Sequence, residues 1–344
     1  MKKILLTSLL SLSFLGISFS QVPSQSTDIM LQAFAWDSYS TSKWTNITNQ
    51  SDEIASYFSL VWLPPSGKHG GVDWNQNAMG YLPMFYFNQN SSFGTQAELI
   101  SLISTLKAKG VKTIADIVIN HRVGQTNWID FPIETYKNIT YSWGLETICN
   151  NDKITDCNAS CATGYIGEPT GNDDTGISYN SGRDIDHTNS NVQNTIKAYL
   201  DFMKNDIGYS GWRYDLVKGY SGEFTKMYNN SANGYMSVGE CYDFSYDVVL
   251  NWIIKTDYTS MAFDFPLKNQ LNKVFNQGAA YTELSWLNGT TPQPCGLIHN
   301  ENKRYAVTFV DNHDTGRTDG ADGSCPLTGN VLAAYAYILS HPGI

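Results

Sequence analysis

Four polar clusters interrupt apolar runs of this chain, and each carries carboxylates or cations that could do chemistry. They are Asp116-x-Val118-x-Asn120-His121, Gly211-x-Arg213-x-Asp215-x-x-Lys218, Val238-Gly239-Glu240 and Phe309-x-Asp311-x-His313-Asp314. A single cluster of this kind is more often a structural ion pair at the end of a strand. Four clusters at the ends of four apolar runs instead indicate a functional site.

Three of these carboxylates, Asp215, Glu240 and Asp314, suit the cleavage of an acetal. In that reaction one carboxylate attacks or stabilises the sugar cation while a carboxylic acid protonates the leaving oxygen. Side chains two residues apart on a strand share one side, so Arg213 would hold the Asp215 carboxylate ionised and oriented. Burial of Glu240 among like charges should raise its pKa into the range of a usable acid.

The elements that must position these clusters are short β-rich runs that alternate with helical patterns, which is typical of a parallel sheet built from βα units. The clearest helix begins with a capping box formed by Thr95 and Glu98 and ends at Gly110. We predict seven strands, near residues 29–34, 60–63, 113–120, 211–215, 236–240, 261–265 and 305–310.

Residues 122–183 lose this periodicity and are rich in Asn, Asp, Gly and Thr. The stretch is far too long for an ordinary loop between a strand and a helix. We interpret it as a subdomain inserted after the third strand, between barrel segments 21–121 and 184–344, on the face where barrel enzymes build active sites. Its cysteines, Cys149, Cys157 and Cys161, could pair in an exported protein, but the connectivity stays open.

Residues 1–20 start with two lysines, continue with an apolar run and end in small residues, which is typical of a secretory signal peptide. A membrane anchor is the alternative, but the run is short and is interrupted by Ser and Gly. We therefore expect a secreted, extracellular protein. In a eukaryotic host its Asn-x-Ser/Thr triplets would be glycosylation sites; they begin at Asn46, Asn49, Asn90, Asn138, Asn158, Asn229 and Asn288.

The charge of the chain limits its partners. It has 32 acidic and 22 basic residues, a net charge of −10, which repels phosphate backbones and anionic membranes. We therefore expect no nucleic-acid partner and no membrane partner. A zinc hydrolase is disfavoured as well, because no His-x-x-x-His motif or Cys pair has the spacing of zinc ligands.

The four clusters resemble, in order and in spacing, the four sequence signatures of the α-amylase family of glycoside hydrolases. Further runs are similar to plant-type α-amylases in particular: LQAFAWDSY, VWLPPSGK, GYLPMFYF, GVKTIADIVINHR, DIDHTNSNVQ, GWRYDLVKGYS and FVDNHDTG. The resemblance covers the chain from about Asp28 to its end. It implies an α/β fold, a TIM-type (β/α)8 barrel with an inserted calcium-binding subdomain after strand 3, and a monomer that binds α-glucans.

The resemblance also implies roles for individual residues. Asp215 would be the nucleophile, Glu240 the general acid/base, and Asp314 the carboxylate that binds the sugar hydroxyls in the transition state. Four further residues match the substrate and nucleophile contacts around the cleaved sugar unit: Tyr81, His121, Arg213 and His313.

One calcium ion between the insertion and the barrel is implied by the same resemblance. Its matched ligands are the side chains of Asn120, Asp174 and Asp184 and the backbone carbonyls of Ile177 and Gly219. These are hard oxygen donors, as calcium prefers, and a loop without a core of its own gains order from such an ion. A second calcium site of plant enzymes expects acidic residues near Ser178, where Ser-Tyr-Asn stands, so we expect only one ion.

The leading functional hypothesis is endo-hydrolysis of α-1,4-glucosidic bonds in starch or glycogen with retention of configuration. Two alternatives stay open: an α-glucan transglycosylase that uses the same residues, and a secreted, non-catalytic starch-binding remnant. The resemblance places the start of an eighth strand at residues 340–344, so that the eighth βα unit and a C-terminal β domain would be absent. We expect a chain ending at Ile344 to be inactive or poorly soluble, because two strands would present unpaired edges.

Overall fold

The structure is a computed structural model that describes residues 26–69, 78–126, 128–152, 168–276, 287, 295–299, 301–317 and 326–344. The predicted signal peptide and Cys157, Cys161, Asn158 and Asn288 lie outside the described residues. The helices are α1 (Trp44–Asn49), α2 (Ser51–Tyr57), α3 (Gln96–Ala108), α4 (Ser190–Phe202), α5 (Gly222–Ala232), α6 (Tyr246–Lys255), α7 (Phe265–Asn276) and α8 (Val331–Ser340). The strands are β1 (Met30–Gln32), β2 (Leu60–Leu63), β3 (Lys112–Ile117), β4 (His121–Arg122), β5 (Glu134–Tyr136), β6 (Ile139–Tyr141), β7 (Arg183–Asp184), β8 (Gly211–Tyr214), β9 (Ser237–Gly239), β10 (Met261–Phe263) and β11 (Ala306–Val307).

Seven of these strands form one sheet in the order β1-β2-β3-β8-β9-β10-β11, and every neighbouring pair is parallel. All seven predicted strands are therefore present, in an order that follows the chain, as in a (β/α)8 barrel. The predicted α/β, TIM-barrel-like fold class is confirmed. Several strands are shorter than predicted: β3 ends at Ile117 rather than Asn120, because the Asn120 carbonyl pairs outside this sheet, with the amide of Ile185.

Helix α3 confirms the clearest helix of the sequence. The Thr95 hydroxyl accepts a hydrogen bond from the Glu98 amide, and the Glu98 carboxylate accepts one from the Thr95 amide at 2.7 Å. Gly110 follows the helix with φ +83°, a left-handed conformation that favours glycine. The apolar face of the helix is buried and consists of Leu99, Leu102, Ile103 and Leu106.

The predicted insertion leaves and rejoins the barrel at one place, where β4 pairs with β7 in antiparallel register. Arg122 lies in this neck with a side chain that is 2% exposed, and it forms an ion pair of 2.9 Å with Glu134. Its guanidinium also donates to the Met84 carbonyl. Three aromatic rings face the same cation: Tyr86, Phe131 and Trp143. A buried charge with these partners fastens the insertion to the barrel.

Strand β11 lies at one edge of the sheet, and Ile344 is hydrogen-bonded beside it. The Ile344 amide donates to the Ala306 carbonyl at 3.1 Å, and the Ile344 carbonyl accepts from the Thr308 amide at 2.6 Å. The other edge strand is β1. A cavity of about 850 Å³ lies between the two edges, and its lining includes Phe58 and Ile338.

Two further expectations concern the surface. Asn229 is fully buried, and its side-chain amide donates to Ser237 and to the Thr259 carbonyl, so this Asn-x-Ser triplet is not accessible in the folded protein. Four other triplets within the described ranges begin with an exposed asparagine: Asn46, Asn49, Asn90 and Asn138. Among the helices that the structure describes, none is long and apolar enough to cross a membrane.

Candidate active site

Arg213 is the centre of the site. It lies on β8 with no exposed side-chain surface, and its Nη1 donates to Asp116 at 2.6 Å and to Asp215 at 2.7 Å. Its Nη2 is 2.5 Å from a Glu240 carboxylate oxygen, a close charge contact rather than an aligned hydrogen bond. One guanidinium therefore holds three carboxyl groups from the ends of three adjacent strands, β3, β8 and β9.

Asp116 anchors the side of the site opposite Glu240. Its second oxygen accepts hydrogen bonds from Trp62 Nε1 at 3.1 Å and from the Tyr81 hydroxyl at 2.9 Å. Burial raises the pKa of Asp116 to about 7, although the Arg213 charge acts in the opposite direction. Asp116 thereby connects the Tyr81 ring to the guanidinium that binds Asp215.

Glu240 is 5% exposed and follows directly after β9. Burial raises its pKa well above the ordinary range, and the nearby charges of Asp215 and Asp314 raise it further, while Arg213 lowers it. Its second oxygen accepts a hydrogen bond from the Leu216 amide at 3.1 Å. The side chain is thus held in place and favours its protonated form.

Asp314 and His313 lie on the turn that follows β11. The His313 Nε2 is 3.4 Å from an Asp314 carboxylate oxygen, and the Asp314 side chain is 31% exposed, so it is accessible to solvent. Burial lowers the pKa of His313 well below its usual value, and the positive charges of Arg213 and Arg317 add to the shift. His313 is therefore neutral at physiological pH and can form directional hydrogen bonds.

Three flat rings lie nearly parallel beside these carboxylates. The Tyr81 ring is 5.2 Å from the His313 ring with an angle of 7°, and Trp36 is 5.8 Å from Tyr81 with an angle of 6°. Tyr81 and Trp36 are half-buried and His313 is buried. The C–H face of a pyranose is apolar, so aromatic rings beside the carboxylates are suited to contact with a sugar.

His121 occupies the opposite wall, on β4. Its Nε2 donates to the Tyr81 carbonyl at 2.7 Å, and its ring is stacked on Tyr179 with centroids 4.1 Å apart. Burial lowers the pKa of His121, which favours the neutral ring. The structure therefore brings together all seven residues that were predicted to bind substrate or to do chemistry: Tyr81, His121, Arg213, Asp215, Glu240, His313 and Asp314.

The residues predicted to bind calcium also converge, beside this site. Asn120 Nδ2 donates to Asp184 at 3.3 Å, and the Ile177 amide donates to the Lys218 carbonyl, next to Gly219. A methyl group at Gly219 would overlap the Asn120 side-chain oxygen, so a larger residue there would displace the Asn120 side chain. Asp174 lies close enough to Asp184 for its charge to raise the Asp184 pKa, which burial raises most, to about 8.

Two buried oxygens of this group have no hydrogen-bond donor: Asn120 Oδ1 and Asp174 Oδ2. Unpartnered buried acceptors beside two carboxylates suit a hard cation such as calcium. Within the described ranges, no three His, Cys, Asp or Glu side chains are grouped so that they could hold a metal ion by themselves. A cation at this position would therefore depend on the Asn side chain and on backbone carbonyls as well.

Comparison with known families matches residues 57–325 to the alpha amylase catalytic domain. The chain belongs to the α-amylase family. Probable alpha-amylase 2 of Arabidopsis thaliana is 33% identical over 332 residues, which are 92% of this chain and 73% of that protein. Alpha-amylase 3, chloroplastic, from the same plant is 31% identical, and the match covers 92% of this chain and 34% of that protein. The similarity to plant-type α-amylases is confirmed, and these relatives support an α-amylase activity.

Solved structures give the same fold for this member of the α-amylase family. Wild-type alpha-amylase I from Eisenia fetida superposes with a TM-score of 0.64 at 18% identity, over 94% of this chain and 66% of that chain. A mutant of the same α-amylase in complex with maltohexaose gives a TM-score of 0.58 at 19% identity, over 87% of this chain and 60% of that chain. At such identities the likeness concerns the fold alone.

Sequence reasoning did not assign roles to three residues of this α-amylase-family site. Trp36 stacks on Tyr81, Trp62 binds Asp116, and Tyr179 covers His121. Trp36 lies in the run LQAFAWDSY, two residues after the first predicted strand. Trp62 lies in the run VWLPPSGK, within the second predicted strand. An aromatic residue at the carboxyl end of a barrel strand was the available signal. The sequence around Tyr179 gave no comparable signal, because the position of Tyr179 depends on how the insertion folds.

Proposed function

We propose that this protein is an α-amylase that hydrolyses internal α-1,4-glucosidic bonds of starch or glycogen with retention of configuration. The observation that carries the proposal is the shared guanidinium: Arg213 binds both Asp215 and Glu240, and Asp314 is near enough to raise the Glu240 pKa. Three carboxyl groups at one barrel mouth, with one of them kept protonated, are the parts that acetal cleavage requires.

In the first step, Asp215 attacks the anomeric carbon while Glu240 gives its proton to the glycosidic oxygen, which leaves with the rest of the chain. The product is a covalent glycosyl ester of Asp215. In the second step, the Glu240 carboxylate removes a proton from water, whose oxygen attacks the same carbon and releases Asp215. Two inversions give net retention.

The shared guanidinium limits how far apart the Asp215 and Glu240 carboxyl groups can lie. Retaining enzymes hold the pair about 5–5.5 Å apart, whereas inverting enzymes leave about 6.5–9.5 Å for a water molecule. Here both groups contact terminal nitrogens of one guanidinium, at 2.7 Å and 2.5 Å. A shared partner keeps the two groups close together, which supports the retaining mechanism.

Substrate binding is assigned to the aromatic rings and to the histidines. Tyr81 and Trp36 are half-buried aromatic rings that could contact pyranose rings, and the neutral His121 and His313 can hydrogen-bond sugar hydroxyls. Membership of the α-amylase family supports an α-glucan as the ligand class.

The experiment is a starch-cleavage assay on Glu240→Gln. We expect turnover to fall on the order of 10²–10⁴-fold, the usual contribution of a general acid, with little change in oligosaccharide affinity. Asp215→Asn should lose at least as much, because no covalent intermediate can form. The matched control is Glu223→Gln, an exposed carboxylate on α5. Near-normal turnover of the Glu240 variant would remove it from the mechanism, and product analysis separates hydrolysis from glycosyl transfer.

We also propose that one calcium ion joins the insertion to the barrel. The side chains of Asn120, Asp174 and Asp184 would hold it, together with the carbonyls of Ile177 and Gly219. The unpartnered oxygens of Asn120 and Asp174 support this assignment. The ion would supply structural order to the insertion, next to the wall that carries His121.

Finally, we propose that the protein is exported and acts as a monomer outside the cell. The lysines and the apolar run of residues 1–20 support export. Sequencing the amino terminus of protein recovered from culture medium tests this proposal: a chain that still starts at Met1 would contradict it.

A further inference from the structure

The turn that carries His313 and Asp314 is built by its own side chains. The Asn312 side-chain oxygen accepts from the amides of Asp314 at 3.0 Å and Thr315 at 2.8 Å, and the Thr315 hydroxyl accepts from the Asn312 amide at 3.0 Å. These bonds fix the residues of the turn relative to one another. They do not fix where the turn lies relative to β8 and β9, which carry the other two carboxylates.

A buried ion pair ties this turn to the barrel. Asp311, the first residue of the turn, pairs through one carboxylate oxygen with Lys268 Nζ, and its other oxygen accepts from the Leu327 amide at 2.9 Å. Lys268 lies on α7 with a side chain that is only 2% exposed, and its Nζ also donates to Asn272 at 2.7 Å. The ammonium is thus anchored on the helix and faces the base of the turn.

A buried lysine is costly unless its charge is paired, and an apolar residue would fill the same space without that desolvation. The ion pair instead fixes a position: it holds the Asp311 carboxylate against the Lys268 ammonium. Asp311 is only three residues before Asp314, so this contact also limits where Asp314 can lie. We infer that Lys268, acting through Asp311, is a positioning residue that sets the distance of Asp314 from Asp215 and Glu240. This inference rests on the proposed function of those three carboxylates.

The first test compares Lys268→Met with wild type on maltooligosaccharides. A shift of about 1 Å in a reacting group can cost on the order of 100-fold in rate, so we expect kcat to fall about 10- to 100-fold. Because Asp314 would act mainly in the transition state, KM should stay within about threefold. Lys226→Met, which removes a surface ion pair with Asp257, is the matched control and should leave kcat unchanged. A kcat of Lys268→Met within about twofold of wild type would overturn the inference.

Lys268→Met also leaves Asp311 without its cation, so lost stability could imitate lost positioning. The double variant Lys268→Met/Asp311→Asn removes both charges and keeps an acceptor for the Leu327 amide. Removing both partners of a buried pair costs far less stability than removing one. We therefore expect the double variant to regain most of the wild-type melting temperature while its kcat stays low. Recovery of kcat together with the melting temperature would show that the pair contributes to stability alone.

Hydrogen exchange measures the same positioning without substrate. The amides of residues 312–316 should exchange faster in the double variant than in wild type, while those of α3 stay unchanged. Unchanged exchange in 312–316 would contradict the inference even if kcat falls. A wild-type protein extended through an eighth βα unit that does not cleave starch would instead refute the proposed function, and the exchange result would still decide whether the Lys268 pair holds the turn.

Discussion

Replacing Arg213 by lysine tests the centre of the site most directly. The substitution keeps the positive charge, so the electrostatic balance of the three carboxyl groups changes little. It removes the fork, because one ammonium replaces two terminal nitrogens that contact Asp116, Asp215 and Glu240. We expect lysine to retain some of these contacts and to lose at least one.

The size of the effect follows from the contacts. Nη1 makes aligned hydrogen bonds of 2.6 Å and 2.7 Å, and the guanidinium is fully buried. A hydrogen bond to a charged group contributes about 1.5–3 kcal/mol. If the bond that orients Asp215 is lost, the barrier rises by a similar amount, and a factor of ten per 1.36 kcal/mol gives a fall in kcat of about 10- to 150-fold.

The assay is steady-state hydrolysis of a maltooligosaccharide, with thermal unfolding measured in parallel. Arg122→Lys is the control, since Arg122 is an equally buried arginine whose ion pair with Glu134 lies in the neck of the insertion. We expect Arg122→Lys to lower the melting temperature without a comparable loss of kcat in the folded protein. If Arg213→Lys keeps kcat within about threefold of wild type, or if both variants lose activity in proportion to stability, the orienting function of Arg213 is refuted.

Two further predictions concern charge and calcium. Glu240 must be protonated to act as the acid, so the kcat/KM of wild type should fall as pH rises through the raised pKa of Glu240. The Asp314 charge contributes to that raised pKa, and Asp314→Asn removes it. The alkaline limb of the variant's residual activity should therefore move to lower pH. An unmoved or oppositely moved limb contradicts this electrostatic reasoning. Chelation of calcium should lower the melting temperature and direct protease cleavage first to residues 122–183. Asp174→Asn should weaken calcium binding measured by titration. Asp173→Asn, a change at an exposed neighbouring residue, should leave calcium binding unchanged. An unchanged melting temperature and cleavage pattern would rule out the calcium assignment.

The strands and the polar residues at their ends could be predicted from the sequence because both signals are local. An apolar run such as residues 60–63 is a buried parallel strand, and β2 has those bounds. The alternation of side chains placed Arg213 beside Asp215, and the two are 2.7 Å apart. The capping box of α3 was local as well.

Contacts between distant segments could not be predicted in this way. Asp116 and Arg213 are 97 residues apart and meet because β3 and β8 are neighbours in the sheet, with the whole insertion between them in sequence. The bond from Tyr81 to Asp116 and the pair of Lys268 with Asp311 depend in the same way on how loops and helices pack onto the barrel. Periodicity carries no information about such packing.

The charges around Arg213 explain why similar carboxyl groups can do different work. One guanidinium faces three buried carboxyl groups, and three negative charges beside one positive charge would be strongly unfavourable at such a buried position. The guanidinium makes aligned hydrogen bonds to Asp116 and Asp215 but not to Glu240, whose pKa burial raises well above the usual range. Burial therefore favours the protonated form of Glu240, the group that would give a proton to the leaving oxygen, while Asp215 keeps the strong hydrogen bond that orients a nucleophile. The proposed division between acid and nucleophile thus rests on two features together, the burial of Glu240 and the Arg213 hydrogen bond to Asp215.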